Sequence, residues 1–270
     1  MINGTLSLDF SQANWLRWAR GRLFPKMYQI KLPEKWSELS AESVEPVFNI
    51  LAHRESFQVP TLDLFNAIVD VPPRLISQLG PQKVAEELLP HLDWMLNAPC
   101  TVRLIDHVET DGGGVASIPN VGFRGMSMHR YRTADEAYMD LQQELTDEAL
   151  DRFIRAFLGL SKNEKVENLQ RGISYFILHY YTSNKQELFN KYFPQEIDSH
   201  KEDKSIEEMD WESLFIAVAE RGVFGPLHRV KEATVHSFFT WIGKNHRQII
   251  EQKKKTLQDL LRKQNQKFLA

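Results

Sequence analysis

The sequence predicts a mainly α protein: a helical body with a minor β element of a few short strands, and a C-terminal helical module ending in a long basic helix. Three observations carry this reading. Apolar residues recur at spacings of three, four and seven along most of the chain, which is the period of one helix face. Strict apolar/polar alternation is confined to a few short stretches. Prolines, glycines and cap residues interrupt the periodic segments at distances that suit helices of moderate length.

Composition bounds the function classes. With 270 residues, 42% hydrophobic and 26% charged, the chain can bury a core of its own. A net charge of -3 supplies no overall attraction to nucleic acid or an anionic membrane. The single cysteine, Cys100, rules out an internal disulfide and a multi-cysteine metal site, and reads as a small buried residue beside Pro99. Asp9, Arg17, Arg20 and Arg22 interrupt the first thirty residues, unlike a signal peptide. No run approaches the roughly 20 apolar residues that span a bilayer. A soluble, intracellular chain without a membrane partner is expected.

Thr5 to Phe10 alternates as a short strand, and Ser11 caps a predicted helix carrying Trp15, Leu16, Ala19 and Leu23. Met27 to Leu32 reads as a second strand, after which Pro33 imposes an extended exit. Ser40 caps a helix with Val44, Val47, Phe48 and Leu51 inward, and Pro46 fits if that helix effectively begins near Val44 or Glu45. Pro60-Thr61 opens a helix with Leu64, Phe65, Ile68 and Val69 inward, stopped by Pro72-Pro73. Leu75, Ile76 and Leu79 then precede Gly80, and Val84, Leu88, Leu92, Met95 and Leu96 define a longer helix. Thr101 to Val108 is the best strand candidate. The run Asp111 to Gly114 is a turn and not a phosphate cradle, because no helix start or lysine follows it.

Thr133 and Glu136 have the spacing of a capping box, and Asp135, Glu136, Asp140 and Glu144 then read as a solvated carboxylate row. General acid-base chemistry or cation binding there would need them to line a pocket. Thr146 and Gly159 bound a strongly apolar helix, and Leu169 to Thr182 forms another, dense in core aromatics. From Glu196 to Glu212, eight Asp or Glu face only Lys201 and Lys204. The expected domains are therefore a body over 1–195, an acidic linker over 196–209, and a module with a basic tail over 210–270.

In that module Trp211, Leu214, Phe215, Val218 and Ala219 form one helical stripe closed by Gly222. Gly225-Pro226 turns the chain, Leu227 and Val230 suit a short helical turn, and Thr234 caps a helix with Val235, Phe238, Phe239 and Ile242 inward. The connection is too long, and the second helix too aromatic, for a helix-turn-helix DNA reader. From Lys244 onward eight Lys or Arg oppose Glu251 and Asp259, which fits a solvated terminal helix, a coiled coil or a nucleic-acid arm. The nine histidines show no HExxH spacing, and Gly125 to His129 only echoes a nucleophile elbow. No catalytic residue, metal ligand or cofactor motif is assigned.

Several blocks carry a resemblance: LPEKWSELSAES, LLPHLDWMLNAP, MSMHRYRTADEAYMDLQQ and LDRFIRAFLGL. Together they are similar to a set of phage and prophage proteins of Bacteroidetes encoded among virion, often tail, genes. The closing GVFGPLHRVKEATVHSFFTWI resembles the compact helical end of phage tail assembly chaperones. The chain departs from those chaperones in its length and its strands. The resemblance implies a non-enzymatic assembly chaperone or accessory protein in the host cytoplasm, binding a virion protein such as the tape measure. Val223, Phe224, Phe238, Phe239 and Trp241 are the expected partner contacts. The basic residues Lys253, Lys254, Lys255, Arg262, Lys263 and Lys267 add electrostatic attraction, or in the alternative reading hold nucleic acid.

Overall fold

The computed structural model describes residues 5–9, 27–52, 61–68, 90–110, 113–161, 164, 166, 169–193 and 211–245. It is mainly helical with a minor β element, as the apolar spacing predicts. Two compact units divide the chain. The first comprises Met1–Val121 and Ala137–Asn184, and the second Gly122–Glu136 and Lys185–Ala270. This corrects the expected division into 1–195, 196–209 and 210–270. The C-terminal helices share their core with 122–136 and with residues from Lys185 onward, because the rings of Phe123, Tyr131, Phe189 and Phe193 pack within the same aromatic cluster as Trp211 and Phe239. The acidic stretch 196–209, the first predicted helix and the basic tail lie outside the described residues.

In the first unit, β1 (Thr5–Asp9) and β2 (Met27–Lys31) pair antiparallel from Thr5↔Lys31 to Asp9↔Met27, where the two alternating stretches predict strands. Beyond β2 the indole of Trp36 donates to the Ala98 carbonyl (3.1 Å), and that of Trp94 donates to Pro33 (3.1 Å). Trp36 also stacks on Phe48 with centroids 5.3 Å apart. Helix α1 (Ala41–Ala52) is capped as expected, the Ser43 amide donating to the Ser40 hydroxyl, and buries Val44, Val47 and Phe48. It begins earlier than Pro46 led one to expect, so the proline sits inside it. Helix α2 (Thr61–Ile68) buries Leu64 and Phe65, and α3 (90–97) buries Leu92 and Met95.

The strand expected over Thr101 to Val108 shrinks to β3 (His107–Glu109), paired antiparallel with β4 (Val115–Ser117). Ladder pairing reaches this stretch only at Asp106, whose carbonyl accepts from the Ile118 amide (3.0 Å), and side chains hold the rest of 100–106. The Cys100 amide donates to the Ser183 hydroxyl (3.0 Å), Asn184 to the Thr101 carbonyl (3.5 Å), and Arg103 to the Ile118 carbonyl (3.3 Å). The glycine run closes the hairpin, with Gly113 at φ +73° and the Thr110 amide bonded to the Gly114 carbonyl.

Helix α4 runs over Met128–Glu144, its first nine residues belonging to the second unit and the remainder to the first. Ser127 caps it by accepting from the Arg130 amide, so the predicted cap at Thr133 is corrected. Thr133 lies inside the helix and donates to the His129 carbonyl, and Glu136 pairs with Arg132. Helix α5 (Asp147–Leu158) has the predicted ends: Thr146 accepts from the Ala149 amide, and Gly159 adopts φ 71°. Helix α6 (Arg171–Tyr192) extends past the predicted Thr182. Its Tyr181 meets Phe153, Phe157 and Tyr138, with centroids 5.0 to 5.4 Å away. At Gly172 a Cβ would lie 2.0 Å from the Glu45 carbonyl oxygen, so α1 and α6 touch backbone to backbone.

In the second unit, α7 (Trp211–Glu220) buries Leu214, Phe215 and Val218 along the predicted stripe. Gly222 and Gly225 take positive φ in the turn before α8 (Leu227–Glu232), the predicted short helical turn. Thr234 caps α9 (235–245), whose Val235, Phe238, Phe239 and Ile242 are buried as expected. Main-chain bonds from Met128 to Ala233 and from Val235 to Met126 tie the start of α9 to the start of α4.

Candidate functional site

The residues expected to meet a partner divide sharply. Phe238 and Phe239 are each 1% exposed. Their rings pack against Phe215, Tyr131, Phe189 and Phe193, so they are core, and their assignment as direct contacts is corrected. An inward helix face cannot serve the core and a docked protein at once. Val223 is 46% exposed, and Phe224 and Trp241 are half-buried. Phe224 stacks on Phe238 with centroids 6.4 Å apart, so a core ring supports a surface ring. The guanidinium of Arg221 lies 5.6 Å from the centre of the Trp241 indole. Nothing in the spacing of the sequence signals this pair, since twenty positions separate the two residues.

The second unit also holds a polar network that sequence reading missed. Asp135 is 8% exposed, and its carboxylate accepts from Lys185 Nζ (2.7 Å) and from the Trp211 indole (3.1 Å). Arg132 bridges Glu136 and Glu212, and Lys231 donates to Glu212 (3.1 Å). Bonds from Lys231 and Arg132 hold the Glu212 carboxyl below the usual carboxylate range. The solvated-row reading is therefore corrected for Asp135, while Glu136, Asp140 and Glu144 are exposed. Glu144 pairs with Arg152, so the four carboxylates are held by separate partners or face solvent and do not converge on one point.

Elsewhere in the second unit, His236 Nδ1 lies 2.8 Å from the Tyr192 hydroxyl. Burial holds its imidazole below the ordinary histidine value. In the first unit, burial pushes the Cys100 thiol up to about 12, so it carries no thiolate at neutral pH. Among the described residues no group of three or more His, Cys, Asp or Glu is placed to hold a metal ion. No helix among them is long and apolar enough to cross a membrane. The six basic tail residues from Lys253 to Lys267 lie outside the described residues. Compared with protein-family models, curated proteins and solved structures, the chain matches none.

Proposed function

We propose that the chain acts without chemistry of its own, by binding another protein through the face made by Val223, Phe224 and Trp241. The observation that supports this is exposed apolar surface on a well-held framework. Val223 is 46% exposed at a glycine-bounded turn, while Phe224 rests on a buried ring. Aromatic side chains held in place present contact area at little entropic cost, and the Arg221–Trp241 pair adds a residue combination common at binding hot spots. The sequence resemblance supplies the partner class: a phage tail component such as the tape-measure protein, met in the host cytoplasm, with this chain as assembly chaperone or accessory factor.

The test is capture of a phage tape-measure protein by this chain. Phe224→Ala with Trp241→Ala is expected to abolish capture while circular dichroism stays unchanged. Undiminished capture by that folded variant overturns the assignment of the face. A nucleic-acid role for the tail predicts salt-dependent DNA or RNA binding that disappears on truncation after Lys244.

A further inference from the structure

A cavity of about 340 Å³ opens on the first unit, walled by α1, α3, α4 and α6. Phe48, Leu141 and Leu178 are among its apolar walls, and among the described residues no Asp, Glu, Lys or Arg lines it. Some of its polar groups bond within the lining. Gln142 donates to the Tyr138 hydroxyl (2.8 Å), and Thr182 to the His179 carbonyl (3.0 Å). Water gains little in such a space, and an apolar cavity of roughly 150 Å³ already accepts benzene. Pockets that hold small molecules begin at about 300 Å³ and occur between the helices of bundles.

The rim is built at a conformational cost. Leu145, which lines the mouth, is 81% exposed and takes φ +50°, where a helix normally ends on glycine. Its amide closes α4 on the Leu141 carbonyl (2.9 Å), a bond that any residue would make. Glycine would close the helix with less strain but would remove the apolar lip. The leucine thus favours an occupant of the cavity over the ease of the turn.

We propose that this cavity binds an uncharged, mainly apolar small molecule of about two-ring size. The full chain is titrated with 2-naphthol, with 1-decanol as competitor to separate ring from aliphatic preference. Saturable one-to-one binding is expected, abolished in Leu178→Trp, which fills the cavity. Thr182→Phe serves the same purpose should Leu178→Trp fail to fold by circular dichroism. Leu145→Gly is expected to melt no lower than the parent, yet to bind roughly threefold or more weakly, since it keeps the turn and loses the lip. Absence of saturable binding of both probes, or binding undiminished in a folded filled variant, overturns the proposal. Unchanged affinity in Leu145→Gly overturns the role of the lip. The Phe224→Ala, Trp241→Ala variant retains 2-naphthol binding, so failure of the protein-binding reading is distinguishable from failure of this one.

Discussion

The two units hold their helices together by different means. In the first, α1 and α6 approach until Gly172 leaves no room for a methyl group against the Glu45 carbonyl, and rings such as Phe48, Phe153, Phe157 and Tyr181 fill the space around them. In the second, a comparable ring cluster around Phe239 sits against a buried ion pair, Asp135–Lys185, that also takes the Trp211 indole proton. Apolar backbone contact is indifferent to pH and salt, whereas the buried pair depends on each member having its partner. The first unit should therefore fail by steric insult and the second by electrostatic insult.

The sharpest test of this contrast is Gly172→Ala, which should cost about 4 kcal/mol in chemical denaturation because a backbone carbonyl cannot step aside. The matching change in the second unit, Gly243→Ala, meets the Tyr192 carbonyl at 2.8 Å and should cost about 2 kcal/mol. Equal costs would erase the distinction. Next in size is Asp135→Ala, expected to cost about 3 kcal/mol by stranding Lys185 and the Trp211 indole. The double change Asp135→Leu, Lys185→Met should return to within about 1 kcal/mol of the parent, since an apolar pair removes both charges together. If Asp135→Ala costs no more than removing the half-exposed Glu144–Arg152 pair, the network is ornamental.

A smaller effect concerns His236. Burial lowers its folded value, with Lys191 and Arg124 pushing the same way and the Gly122 backbone opposing, while Tyr192 bonds its ring. A depressed folded value means the unfolded chain takes up the proton first. The stability present above the ordinary histidine value, about 6.5, is lost as pH falls through it toward the folded value. Thermal melts from pH 7.5 to 5.5 should fall less steeply in His236→Gln than in the parent, and identical slopes would assign the titration elsewhere. Smallest of all, Val223→Ala should change stability by no more than about 0.5 kcal/mol, as befits a side chain half in solvent. A larger loss would move Val223 into the core and out of the proposed face.

Local signals were legible in the sequence. Thr146 with Gly159, Thr234 with its apolar stripe, and Trp211 through Val218 all appear where capping chemistry and period place them. What stayed hidden depends on partners far along the chain. Asp135 reads as one carboxylate in a row until Lys185, fifty positions on, buries it. The alternation from Thr101 to Val108 reads as a strand, yet Ser183 and Asn184 supply the bonds a ladder would have made. Phe238 and Phe239 read equally well as core or as contact surface, since an apolar stripe does not announce what covers it. The mouth at Leu145 leaves no trace either, because a positive φ at leucine runs against every propensity.

The buried thiol of Cys100 has a practical consequence. It is the single cysteine of the chain, fully shielded, with its amide fastened to Ser183 on α6. A thiol reagent can reach it only when that segment lifts away from the helix, so the labelling rate of the native protein becomes a clock for opening events in the first unit. Variants in the second unit that leave the clock unchanged are confined in their effects; those that quicken it reveal cooperativity between the two, without any engineered cysteine.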